Sequence, residues 1–242
     1  MGEEIRVDFN TGSDGGSGAG GSSGGTGGPP PRVSGGATGG DFDYRQLVPS
    51  FVQTVREVIF NPVGFFRGVR REGDFLNPLL FAIICAVISG LLGGILGFLI
   101  SLATGNGFGS SIGGLFGTLI ITPIATAIGL FIGAAIYHLL VLLIIRPSHQ
   151  GYEATFRVVA YASAIQLLAW LAAIPILGIL VLLAVVVYNV VLSVVGIREM
   201  HSTTTGRAAA VVLIPAVIFG LLALIIGVAI VAILAAAFSQ AQ

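Results

Sequence analysis

The chain has 242 residues, 55% of them hydrophobic and 9% charged, where soluble domains carry about 25% charged residues. Its formal net charge is zero, so no basic surplus points to nucleic acid. Its single cysteine, Cys85, excludes an internal disulfide and a cysteine-based metal site. Several apolar runs of about twenty residues or more instead mark an all-α, polytopic membrane protein. All the basic residues are Arg and none is Lys, which leans towards a GC-rich bacterial genome.

Residues 1–43 are dominated by Gly and Ser around Pro29-Pro30-Pro31. Such a segment buries too little apolar surface to offset its ordering entropy, so it is read as a disordered cytoplasmic tail. Its polar, acidic start predicts no signal peptide. Gly20-Gly21-Ser22-Ser23-Gly24 matches the nucleophile elbow by composition only, with no strand before it and no helix after it.

Residues 44–77 form an amphipathic juxtamembrane segment. Val48, Phe51, Val52, Val55, Val58 and Ile59 recur at helical spacing, which predicts an amphipathic helix. Ser50 is its expected N-cap, Gln53 the capping-box partner, and Asn61-Pro62 its end. Phe65, Phe66, Arg67, Arg70 and Arg71 follow. Aromatics beside several arginines suit a segment lying in the headgroup layer. They equally suit a helix packed on the cytoplasmic ends of the spans, and the two readings are compatible.

Residues 78–238 are the membrane domain. The first span covers 78–104 and holds Gly90, Gly93, Gly94 and Gly97, two overlapping G-x-x-x-G pairs at which another helix can approach. The apolar run 112–145 is too long for one simple span. Charge decides how to divide it, because cytoplasmic loops carry the positive charge. Arginines cluster before the first span, around Arg146 and Arg157, and at Arg198 and Arg207. Only one span within 112–145 puts all three groups on the same side, so it is placed at 122–145, with 112–121 shallow or tilted. Gly129 and Gly133 form another close-packing pair. The run 156–197 has 42 residues and as one helix would reach about 63 Å, twice the roughly 30 Å hydrocarbon core. It must double back at Ile174-Pro175-Ile176-Leu177-Gly178, giving spans three and four. The fifth covers 208–238. Five spans leave the N-terminus in the cytoplasm and the C-terminus outside.

Polar groups within spans are costly and therefore candidates for function. They are His138, Tyr161, Gln166 and Asn189, accompanied by Tyr137, Ser163, Tyr188 and Ser193. No Asp, Glu or Arg lies deep in a span, as an ion-coupled pump would need. His138 is expected to make an interfacial helix-to-helix hydrogen bond. Gln166 and Asn189 fall at comparable depth in the two arms of the hairpin, placed to bond to each other or to a substrate. His149, Glu153, Glu199 and His201 could converge on a metal, but no H-E-x-x-H spacing supports it. No catalytic group, metal site or cofactor is expected.

The stretch Gly151-Tyr152-Glu153-Ala154-Thr155-Phe156-Arg157, the turn at 174–178 and Gly196-Ile197-Arg198-Glu199-Met200-His201 together resemble the Yip1 domain. The entry pieces Asn61-Pro62-Val63-Gly64-Phe65-Phe66 and Asn77-Pro78-Leu79-Leu80 resemble it too, so the likeness covers about residues 50–230. It implies five spans behind a cytoplasmic N-terminal region. In eukaryotic relatives it implies vesicle trafficking, Rab GTPase binding and self-association. The leading expectation is a non-catalytic integral membrane protein that organises membrane or partner proteins. A small-solute transporter or channel component is the alternative, and a membrane enzyme ranks third. The expected partners are the lipid bilayer and a second copy or another membrane protein, in a bacterial plasma membrane.

Overall fold

The computed structural model describes residues 41–105, 108–146, 150–174 and 177–240. The Gly/Ser-rich segment up to residue 40 lies outside the described residues, as do Pro175 and Ile176 of the hairpin turn and His149. Among the described residues the fold is all helical, and five helices are long and apolar enough to cross a membrane.

The chain enters through a short strap, Asp41-Phe42-Asp43, which composition places in the tail. Phe42 is completely buried, so the ordered protein begins before residue 44. A 3₁₀ turn at Tyr44–Gln46 leads into α1, Leu47–Phe60. The expected Ser50 cap is not used. The Asp43 side chain caps the turn by accepting from the Arg45 amide, and Ser50 Oγ instead accepts from the Asp43 amide. Gln53 reaches forward to Glu57. Pro49 falls in the first turn of α1, where its missing N–H costs nothing. Asn61 then caps α2, Pro62–Gly68, by accepting from the Gly64 amide, with Pro62 at the favoured first position.

The spans follow. α3 is Leu76–Ala103. α4 is Phe108–Ile144, a single helix with Pro123 inside it, so 112–145 is one element. α5, Tyr152–Ala162, continues without a break into a 3₁₀ segment, Ser163–Ala173. Runs of 3₁₀ longer than 3–4 residues are uncommon. Its greater rise of about 2.0 Å per residue carries this short span to about 38 Å in all. α6 is Leu177–Met200 and α7 is Thr205–Gln240, with Pro215 inside. Gly178 is required at the hairpin turn, because a Cβ there would overlap the Ala172 carbonyl.

The three arginine groups meet at one end of the bundle, as the charge count requires. Arg67 bonds Glu199, Gly73 bonds Glu153, and Gln150 bonds His201. The densest core sits at this charged end. Phe42, Phe65, Phe66, Phe81 and Tyr161 are buried together with Leu192, Ile197 and Met200. Their ring centroids lie 5.0–5.7 Å apart in the Phe65–Tyr161, Phe81–Tyr161 and Phe42–Phe81 pairs, each worth about 0.5–1.5 kcal/mol beyond area burial. The far half of the bundle is looser. Beyond Pro215 every described side chain of α7 is exposed.

Candidate functional site

The charged end is organised by Arg157, which follows from its place on α5. It lies one turn before Tyr161, so both side chains project from the same face. Arg157 is 1% exposed. Its Nη1 donates to Asp41 Oδ2 at 2.7 Å and its Nη2 to the Asp74 carbonyl at 2.9 Å. The Tyr161 hydroxyl donates to Asp41 Oδ1 and accepts from the Phe42 amide, both at 3.2 Å. Asp41 thus fills the space between a buried cation and a buried phenol, and Phe42 plugs the aromatic cluster beneath. A buried charge is tolerable when paired and hydrogen-bonded in this way. Arg70 approaches the same carboxylate at 3.6 Å from an exposed position.

A second polar seam joins α4, α5 and α6. His138 Nδ1 lies 3.0 Å from Thr155 Oγ1, and Thr155 Oγ1 lies 3.0 Å from His201 Nε2. The Gln150 amide donates to His201 Nδ1. That donor fixes the tautomer of a neutral His201: Nδ1 accepts, so Nε2 carries the proton and donates to Thr155. Among the described residues no three His, Cys, Asp or Glu side chains gather as a metal set. Glu153 accepts from the Gly73 amide, and Glu199 from Arg67 and Arg198.

The membrane-surface expectation needs correction at Phe65 and Phe66, whereas the Arg67 and Arg70 side chains stay largely exposed. Phe65 and Phe66 are buried beneath α2, packed against Tyr161 and the end of α6 at Gly196. They cannot face headgroups, because the ends of the spans already cover them. Arg67 and Arg71 turn to Glu199, Arg67 to its carboxylate and Arg71 to its carbonyl, and Arg70 turns to Asp41. The most exposed apolar side chains of the entry helices lie on α1: Val48, Val52 and Phe60 are 68%, 60% and 82% exposed. The opposite face of α1 buries Thr54 and Val58.

Within the bundle, the glycine pairs divide. Gly90 and Gly94 on α3 face Thr122 and Leu115 of α4, and Gly93 faces Trp170. Gly133 has Val159 in ordinary contact, at 3.9 Å from an added Cβ. Gly97 and Gly129 have nothing within 4 Å of a Cβ, so neither mediates a close helix approach. They line a cavity of about 970 Å³ bounded by α3, α4, the 3₁₀ segment, α6 and α7. Gln166 and Asn189 both line it but do not fasten the hairpin to each other. Asn189 Nδ2 donates to the Ala162 carbonyl at 3.1 Å, where α winding gives way to 3₁₀. Tyr161 lies in the charged-end cluster, away from the cavity.

Sequence reasoning used Arg157 as a topology marker and, with Thr155, as part of the resembling stretch, but gave neither a partner and overlooked Asp41 and Asp74. The available signal was Arg157 itself, an arginine set inside an apolar run with Tyr161 one turn on.

Five membrane-crossing helices, sealed at one end by two short helices and a buried ion pair, define a polytopic integral membrane protein. A model of the Yip1 domain matches residues 56–227, well over half of the chain, and the chain belongs to that family. The match begins inside α1, so the Asp41–Phe42 strap lies ahead of it. No curated protein and no solved structure matches the chain significantly.

Proposed function

We propose that this Yip1-type membrane protein is a non-catalytic organiser of partner proteins or membrane, acting through the outer face of α1. One observation carries the reading. The inner face of α1 is locked onto the span ends, while Val48, Val52 and Phe60 remain exposed on a helix held rigidly in place. The Tyr188 hydroxyl donates to the Ile59 carbonyl near the end of α1, and Phe51 packs on Phe42 and Phe81. A fixed helix whose outer row carries Val48, Val52 and Phe60 with the exposed Arg56 between them suits a partner helix or the headgroup layer. The charged end is assigned to the cytoplasm, because the arginines converge there and positive loops stay inside. A bacterial plasma membrane fits the Arg-only composition.

Val52→Glu combined with Phe60→Glu tests this reading. These side chains contribute little to the core, so thermal stability should stay within about 0.5 kcal/mol of the parent. Copurifying partners, self-association or membrane distribution should change. If stability, partners and distribution are all unaltered, the reading is wrong.

Passage of a small solute is favoured by the cavity alone. Among the described residues its lining contains no Asp, Glu, Arg or His, which favours an uncharged solute.

A further inference from the structure

The cavity asks for an occupant. Along α3 it is lined from Ala82 to Ser101, about 28 Å at helical rise, close to the roughly 30 Å of the hydrocarbon core. Its volume of about 970 Å³ leaves room for an extended hydrocarbon chain along that whole length.

The chemistry of the walls narrows the class further. Glycine and alanine dominate the α3 face, giving a smooth apolar wall. Among the described residues no carboxylate, guanidinium or imidazole lines the cavity, so a charged headgroup drawn inside would go uncompensated at a cost of several kcal/mol. Polar groups are nonetheless present at mid-depth. In 3₁₀ winding, residues three apart are eclipsed, so Ser163, Gln166 and Ala169 stand in one row, and all three line the cavity. Ser163 Oγ is committed to the Ala160 carbonyl. The Gln166 carboxamide has no hydrogen-bond partner among the described residues, and at this depth water cannot readily supply one. Asn189, which also lines the cavity, has given its amide N–H to Ala162.

We infer that the cavity is a binding site for an uncharged lipid whose hydroxyl or carbonyl oxygen meets Gln166 and whose hydrocarbon lies along the α3–α4 wall. The unusual 3₁₀ segment then has a purpose, since it sets the one uncommitted carboxamide in line with the cavity. The inference does not depend on the α1 surface.

The test is native mass spectrometry, with lipid analysis, of full-length protein extracted gently from its own membranes. The expected result is one uncharged, oxygen-bearing lipid retained at near-stoichiometric level, above the bulk membrane composition. Gln166→Leu keeps the shape and removes the hydrogen bond, and should lower retention about three- to tenfold. Gly129→Leu projects into open space and should lower it at least about tenfold by filling the site. Gly97→Leu does the same from the opposite wall and serves if Gly129→Leu misfolds. Retention of bulk phospholipid only, of a charged lipid, or of the same lipid undiminished in Gln166→Leu and a folded cavity-filling variant would overturn the inference.

Discussion

The two ends of the bundle are built on different physics. At the charged end, large aromatics, a buried ion pair and hydrogen bonds between distant segments build the densest core. In the far half the same helices meet through Gly, Ala and hydroxyl side chains around a cavity. The hydrophobic effect explains the contrast. At the charged end it drives Phe42, Phe65 and Phe66 out of water. Between helices surrounded by lipid it offers nothing, because lipid is as apolar as leucine, and association rests on close packing and polar contacts. A platform able to hold α1 in place therefore belongs at the charged end, and a space that lipid can share belongs in the far half.

Substitutions can break this contrast. The largest effect is expected at Arg157. Arg157→Ala leaves Asp41 buried with only the exposed Arg70 near it, which should cost about 3–5 kcal/mol, read as loss of thermal stability in detergent. Replacing both partners, Arg157→Met with Asp41→Leu, should recover most of that loss, because apolar groups can substitute for a buried pair. A double variant no better than Arg157→Ala would show that the pair is not the anchor of the strap.

A matched pair of glycine substitutions compares the two ends directly. At Gly196 an added Cβ would sit 2.6 Å from Val158 Cγ1 and 3.1 Å from Phe66 Cζ. Gly196→Ala should therefore destabilise by about 1–3 kcal/mol through overpacking. Gly97→Ala meets nothing and gains helix propensity, so it should be neutral or stabilising by up to about 1 kcal/mol. Equal thermal shifts for the two variants would erase the proposed difference in packing. Asn189→Leu gives the smallest loss, about 0.6 kcal/mol, the mean for an interhelical hydrogen bond in a membrane protein.

The sequence made the spans readable because two independent constraints agreed. Apolar run length required 156–197 to fold back within 174–178, and arginine placement required 112–145 to be one span. The family resemblance rested on the same stretches. The rest depended on contacts that no local pattern encodes. Arg157 meets Asp41 across 116 positions of chain, and Asp41 sits at the edge of a glycine-rich tail that hides it. Phe65 and Phe66 beside three arginines have the same composition whether they face headgroups or span ends, so only the packed ends of α5 and α6 decide. The cavity was unreadable for a related reason. Gly97 and Gly129 carry the same G-x-x-x-G signature as Gly90 and Gly94, and the winding of Ser163–Ala173 decides which glycines meet a neighbour.

The central claim is that α1 presents a fixed outer face while its inner face is sealed. Photo-crosslinking in native membranes tests it most directly, with a photoreactive residue placed singly at Val52 and at Val58. The account predicts adducts to another protein, a second copy or lipid from position 52, and only intramolecular adducts from position 58. External adducts from position 58, or their absence from position 52, would contradict it.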